Sequence, residues 1–549
     1  MLPTPNLLDR MIAKVAPGVA LDRLRARAAF DQYAAFSGNG SDGGARSPLN
    51  TRWSTRPQSA DADQLRALPR QRAESRELRA THPIAAGAIQ TNVNRVVGTG
   101  LVPIPEPDAA FLGWTDDQAA AWKSTVLREF SLWSDSAAAC DQREAQTFFE
   151  WQAAVLSARL ESGDCFTLLP DAASSTWDRP YRLRLQLLEA DRCGNPAGIM
   201  DGETPAGDHI AAGIRRAAAT GAPLQAHIYD RHPGAVSAFS RGNRQAGEWV
   251  AFTGPSGRRR VLHHYRPTRP EQSRGVPYLA PVIQAIKDLG RYTEAEISAA
   301  VISAFYTVFI KQGPAMPASP VHGTAPMEPT ANPAPGPEYA LGAGAVLGLM
   351  PGEDVVFADP KRPNTAYEPF TFGVLKLIAV GLHMPVELLL KRFDASYSAS
   401  RAALLDAWQH FRSERAWLVL SACQPVWETW MAEAVALGRI AAPGFFESAL
   451  HRWAYTRAAW HGDSQGSLNP KDEVAAYTSA IDARLMTLER AEWELFGTDW
   501  HRSFGAKVRE QQMLRDNGIA AVPRAGAAAA PVQQGQQTGQ GANLEAASA

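Results

Sequence analysis

The chain has 549 residues, of which 45% are apolar and 20% charged, and its formal net charge is -1 at neutral pH. This balance suits a globular protein of two to four domains with an ample core and excludes a disordered or fibrous chain. It also argues against a protein whose main task is to grip phosphates tightly, though not against one past which nucleic acid slides.

The first segment, MLPTPNLLDRMIAKVAPGVALDRLRARAAF, has no apolar region of the secretory type and allows a short amphipathic helix through Leu7, Leu8, Met11, Ile12 and Val15. A Gly-, Ser- and Asp-rich tether follows, so residues 1–60 read as a flexible arm. Up to residue 100 there are fourteen Lys and Arg against eight Asp and Glu, which places the excess positive charge early. From Asp63 to Val97 the pattern is helical. Pro83 predicts a break at His82, and Gly98 predicts the end of the second helix. Helical patterning resumes over 115–134 and 147–162. The runs CFTLLP, YRLRLQLLEA, AHIYDRH, EWVAF and RVLHHYRP predict a mixed β region over about 163–266. In the second run, alternation puts Leu183, Leu185 and Leu187 on one face and Arg182, Arg184 and Gln186 on the other.

Residues 274–310 read as one long helix. Leu279, Val282, Ile283, Ile286 and Leu289 share a stripe, which Ile297, Val301, Phe305 and Val308 continue; Gly290 marks a bend or a tolerated glycine. About thirty residues of helix span on the order of 45 Å, more than a small domain buries, so partner helices are required. The apolar run Ile297 to Ile310 is too short for a membrane span, and a soluble, cytoplasmic protein is expected. A Pro-, Gly- and Ala-rich stretch over 312–338 cannot be helical. A small hairpin turning at Pro351-Gly352 comes next, then an apolar helix ended by Pro385. A Ser-rich turn, long helices, an amphipathic helical region over 470–520 and a low-complexity tail complete the chain.

Motifs that carry chemistry are weak here. GNGSDG (38–43) fits a dinucleotide fingerprint by letter but lies in the tether, and there is no phosphate loop, HExxH or GxSxG. His263 and His264 would face opposite ways on a strand and so share no metal. The four cysteines are scattered without CxxC spacing and read as small buried hydrophobes. Ser396, Ser398 and Ser400 suggest either a helix cap for a helix starting near Arg401 or a serine nucleophile, for which His383 or His410 would be the base. No catalytic residue, metal or cofactor is assigned.

Five segments in order resemble the lambda-like family of bacteriophage portal proteins. They are HPIAAGAIQTNVNRVVGTGL (82–101), YRLRLQLLEADR (181–192), HHYRPTRPEQSRGVPYLAPVI (263–283), LMPGEDVVFADPKRPNTAYEPF (349–370) and GLHMPVELLLKRFDASYSASRAALLDAW (381–408). Coverage is about residues 60–520. The resemblance implies an α+β subunit with wing, stem, clip and helical crown, about twelve copies of which form a ring around a central channel. It would place the wing at 61–275, the first stem helix at 276–310, the clip with its Pro-rich insertion at 311–365, and the second stem helix at 366–384. The tunnel loop would be 385–400, further wing helices 401–464, crown helices 465–520 and the tail 521–549. It implies a DNA-facing set of Lys391, Arg392, Asp394, Ser396, Tyr397 and Ser398, and a stem interface of Ile286, Ile297, Ala300, Val301, Ala304, Phe305 and Val308. Implied partners are other copies of the chain, the terminase large subunit, major capsid and scaffold proteins, a head-tail adaptor, and double-stranded DNA passing without sequence specificity, with no membrane. The implied location is a capsid vertex of the virion, reached from the host cytoplasm during assembly. The alternatives are the portal of a defective prophage or gene-transfer particle, or a soluble serine hydrolase.

Overall fold

The computed structural model describes residues 57–172, 174–235, 246–305, 308–312, 353–357, 366–393, 396–464, 470–497 and 500–518. The chain divides into two units, residues 1–66 and 67–549. In the first, the described part is a short helix, Ala60–Gln64, capped by the Ser59 side chain, which accepts from the Ala62 N–H at 3.2 Å.

The second unit mixes helices with four antiparallel sheets among the described residues. Helices Leu68–Thr81 and Pro83–Val96 meet at His82, whose extended backbone is what a following proline imposes, and Gly98 leaves the second helix at φ 59°. Helices Asp116–Ser134 and Phe148–Ser162 both start in full capping boxes, Thr115 with Gln118 and Thr147 with Glu150. Strand Asp164–Leu168 runs between Gln186–Glu189 and Val261–Tyr265, while Gly202–Glu203, His209–Ala211, Ile214–Arg216, Pro223–Tyr229 and Gly247–Ala251 form a meander. Strand Val102–Pro105 pairs with Ala458–His461, joining distant parts of the chain. The core centres on Trp133, Phe148, Trp151, Trp427 and Trp430, with Phe130 edge-on to both Trp427 and Trp430 at 5.0 and 4.9 Å. Helix Tyr397–Leu418 continues through a π-helical turn, Val419–Cys423, into Gln424–Ala436; the wide turn falls just before Pro425, which has no N–H to give.

The sequence reading needs correcting at three places. Of YRLRLQLLEA only Gln186–Glu189 is a strand, and Arg184 is buried, donating to the Tyr181 and Leu183 carbonyls. The long helix is Ile283–Phe305, not 276–310, because Val308–Gln312 is a strand paired with Glu353–Phe357. Val308 is therefore no helical residue. The β-branched and aromatic run after Phe305 favours the extended form, and apolar period alone cannot tell the two apart. Of the two readings of Gly290, the tolerated glycine holds, since the helix continues through it. The segment 385–400 is not one loop: Val386–Leu390 is a helical turn, and the next helix starts at Tyr397 rather than near Arg401. The expected turn at Pro351-Gly352, the amphipathic segment at 7–15, GNGSDG and the tail after 518 lie outside the described residues.

Candidate functional site

The two apolar helices, Ile283–Phe305 and Tyr367–Gly381, pack side by side. Tyr292 stacks on Tyr367 with ring centres 5.7 Å apart and meets Phe370 edge-on at 4.9 Å, and the Tyr367 hydroxyl donates to Thr293 Oγ1 at 3.3 Å. Lower down, Gly381 lets the helices touch: a Cβ there would lie 2.6 Å from Val282 Cγ1. One side of the pair belongs to the chain's own core, through Val282, Ile283, Ile286, Leu289, Ile378, Ala379 and Leu382. The other side is largely open among the described residues. Ile297 is 59% exposed, Val301 51%, Leu377 71% and Val380 76%. Apolar side chains left this open along two adjacent helices mark a contact surface. Of the expected interface residues, Ile297, Ala300 and Val301 lie exposed, whereas Ile286 is spent inside the protomer and Val308 sits on the strand. Ala304 and Phe305 fall in the last turn of the helix.

The polar segment follows the second helix and reaches back to its first turn. Lys391 closes the Val386–Leu390 turn in the left-handed region at φ 54°. Arg392 lies 3.4 Å from Glu368 of its own chain, both side chains mostly in water, a contact that contributes little. Ser396 caps the next helix, its hydroxyl accepting from the Ala399 N–H at 3.4 Å and lying 3.2 Å from Ser398 Oγ. Lys391, Arg392, Ser396 and Ser398 are exposed and Tyr397 opens the helix; Asp394 lies outside the described residues. His410 stacks on His383 with ring centres 5.9 Å apart and is lowered to about 4, by burial first and then by His383 and the cations Arg159 and Arg266. No serine hydroxyl is hydrogen-bonded to His383 or His410 among the described residues.

What holds this frame is a buried ionic clamp that the sequence did not reveal. Asp164, fully buried, accepts from Arg72 Nη2 at 2.6 Å, Arg274 Nε at 2.6 Å, His263 Nε2 at 3.0 Å and the Gly275 N–H at 3.2 Å. Burial alone would raise its pKa, but Arg274, Arg72 and His263 hold the carboxyl well below the usual range. Arg72 is lowered to about 10 by burial, which Asp164 partly offsets; burial likewise takes His263 down to about 4. Arg274 also donates to the carbonyls of Ala190, Cys193 and Ala212. Gly163 and Gly275 make the clamp possible, since a Cβ on Gly275 would fall 2.0 Å from the Gly163 carbonyl oxygen. From Gly275 the chain passes to Tyr278, whose hydroxyl donates to the Leu382 carbonyl and so ties the feet of both helices together. A second node joins Arg159 and Arg266 to Glu414, with Arg159 4.4 Å over the Trp417 ring. His263 and His264 are bound apart, the first to Asp164 and the second to Thr167 Oγ1 at 2.9 Å. Among the described residues no group of three or more His, Cys, Asp and Glu is placed to hold a metal, and no helix is long and apolar enough to cross a membrane.

The family described as "Phage portal protein, lambda family" matches residues 46–415 of the chain. Portal protein B of Escherichia phage lambda is 24% identical over 522 residues, covering 91% of this chain and 93% of that protein. The portal protein of Escherichia phage N15 is 24% identical over 524 residues, with the same two coverages. Among solved structures, a chain of the neck of a native gene transfer agent (GTA) particle computed with C12 symmetry has 13% identity and a TM-score of 0.38. It spans 76% of this chain and 92% of that one. A chain of the native gene transfer agent virion has 13% identity and a TM-score of 0.37, at 77% and 92%.

Proposed function

The chain belongs to the lambda family of phage portal proteins, and from that premise we propose that about twelve copies close into a ring whose channel passes double-stranded DNA during packaging and ejection. The observation that carries this reading is the bare apolar side of the paired helices Ile283–Phe305 and Tyr367–Gly381, since a head-to-tail ring gives every copy a neighbour to cover it. In this reading those helices are the stem. The β pair Val308–Gln312 and Glu353–Phe357 is the root of the clip. The unit built on the Asp164 clamp and the tryptophan core is the wing, and the helices from Pro470 onward are the crown.

The segment Lys391–Ser398 faces the DNA. Short hydroxyls and a weakly held arginine touch phosphates lightly, and a ring multiplies each light contact by its copy number. The ring sits at one capsid vertex, receives the terminase motor at the clip, and contacts coat, scaffold and head-tail adaptor. Its role is structural, with the work of packaging done by the motor.

The test is the mass of the purified protein by mass photometry, with end-on electron micrographs. Twelve copies of 59.3 kDa weigh about 0.7 MDa and show a central hole. A stable monomer at every salt and protein concentration would overturn the ring reading.

A further inference from the structure

Two turns stand at one end of the sheet built on strand Asp164–Leu168. That strand runs on past Leu168: the Leu169 N–H donates to the Arg260 carbonyl, and Asp171 bridges to Leu183. Beyond Asp171 the chain makes a narrow hairpin. Ala172 donates to the Arg182 carbonyl, and Thr176 and Arg179 exchange backbone hydrogen bonds at 3.0 and 3.1 Å. The second turn, residues 254–257, lies just before strand Val261–Tyr265, and Gly254 donates to the Arg258 carbonyl across it at 2.8 Å. Arg258 Nη1 donates to the Asp171 carboxylate and so fastens the two turns together.

Trp177 sits at the tip of the hairpin and is 96% exposed, the barest large apolar side chain among the described residues. Its backbone is held in place. The Thr176 hydroxyl donates to Asp178 Oδ1 at 2.6 Å, and Arg179 Nη1 donates to Glu144 Oε1 at 3.0 Å. The carboxylates that border the two turns are taken. Glu144 and Asp178 pair with Arg179 and Asp171 with Arg258, while Asp141 accepts from the Ala145 and Gln146 N–H groups and Glu433 from those of Arg182 and Leu183. Four cations are left over. Arg143, Arg182, Arg259 and Arg260 are exposed and make no ion pair among the described residues; Arg182 donates only to the Ala172 carbonyl.

We propose that this end of the sheet docks an acidic segment of a partner protein, Trp177 entering an apolar pocket of the partner while Arg143, Arg182, Arg259 and Arg260 pair with its Asp and Glu side chains. Tryptophan and arginine carry most of the energy at protein interfaces, and a side chain presented on a fixed turn loses little freedom on binding. Cations without a carboxylate of their own make the surface complementary to an anion. As successive residues of an extended strand, Arg259 and Arg260 point to opposite sides of the sheet end, so a segment laid across that end meets both. Duplex DNA fits less well. It offers an indole no pocket, and Glu144, Asp171 and Asp178 among the arginines repel a continuous row of phosphates, whereas a polypeptide sets apolar side chains beside them. The inference rests on the single protomer and not on the ring reading.

The test uses the full chain and fluorescein-labelled probes read by anisotropy: a short peptide of Asp and Glu with two leucines in its middle, a polyglutamate of equal charge, and a short DNA duplex. The leucine-containing acidic peptide is expected to bind. Trp177→Ala, and Arg259→Gln with Arg260→Gln, should each weaken it about tenfold at an unchanged melting temperature, since the replaced side chains are exposed. Polyglutamate is expected to bind about tenfold more weakly and to be indifferent to Trp177→Ala. No binding of the acidic peptide, or equal binding to wild type and both variants, would overturn the proposal; the second result would place the peptide on other cations such as Lys391 and Arg392. Duplex bound more tightly than the peptide, and lost on the arginine replacements, would give the surface to nucleic acid. Rings formed by wild type and lost in Trp177→Ala would give it to a second copy. Either result overturns the proposal and leaves the ring reading standing.

Discussion

Replacing Asp164 by Asn keeps the shape of the side chain and removes only its charge. Arg274 would then be left fully buried without a counter-ion, and Arg72 would keep only Asp191, at 3.6 Å. Removing one member of a buried ion pair costs about 3–5 kcal/mol, because the survivors are desolvated charges without compensation. The three carbonyls that Arg274 also reaches pull the cost toward the lower end, whereas the amide N–H2 of the new Asn, facing donors, pushes it up. A loss of about 3–4 kcal/mol is therefore expected, seen as a lower urea midpoint and as faster amide exchange in strand Asp164–Leu168. Glu494→Gln is the control, since its ionic partner Arg490 is 70% exposed, the Gln carbonyl oxygen can still accept from Tyr477, and exposed pairs contribute at most about 1 kcal/mol. If Asp164→Asn cost no more than Glu494→Gln, the clamp would not be what anchors the helix feet.

Further outcomes follow from the same structure. Stability is expected to be flat only between about pH 7 and 8, to fall as pH drops from about 6.5 toward 4, and to fall again at alkaline pH, where the thiols of Cys140, Cys165, Cys193 and Cys423, all raised by burial when folded, ionise first in the unfolded chain. His263 and His410 are lowered to about 4 and His264 to about 3 when folded, so the unfolded chain binds protons first; with all three contributing, the slope reaches up to about 4 kcal/mol per pH unit, read from urea midpoints at stepped pH. Gly87→Ala, inside helix Pro83–Val96 with open space around its Cβ, should stabilise by about 0.5–1 kcal/mol, whereas Gly275→Ala, driven into the Gly163 carbonyl, should destabilise by more than about 3 kcal/mol or prevent folding. Val301→Glu should leave the protomer's melting temperature near wild type and abolish the 0.7 MDa species, because the site is exposed in one copy and in the proposed ring would be covered only between copies. Normal rings from that variant would remove Val301 from the interface.

Much of this fold could be read locally. The helices after Thr115 and Thr147 start where their capping residues sit, and His82-Pro83 breaks where backbone sterics require. What could not be read is what depends on distance along the chain. Asp164 meets Arg72 and Arg274 across 92 and 110 residues, and Val102–Pro105 finds its strand partner at Ala458–His461. The Gly-Asp and Arg-Gly pairs at 163–164 and 274–275 were the available sign, since paired glycines often mark two backbones in contact. In the candidate site, Pro385 before VELLL already signalled the helical turn that shortens the polar loop. The end of the long helix was ambiguous in principle, because a short apolar run satisfies helix and strand alike.

The pairing of Val308–Gln312 with Glu353–Phe357 has a practical consequence. Gln312 stands opposite Glu353, so the two ends of the chain between them form one doorway a strand-width across. Lengthening a loop through such a doorway costs only about 0.6 kcal/mol per doubling. The frame around it is thus indifferent to how much chain is hung there, and the position is a natural socket for grafting a tag, a reporter or a foreign docking peptide.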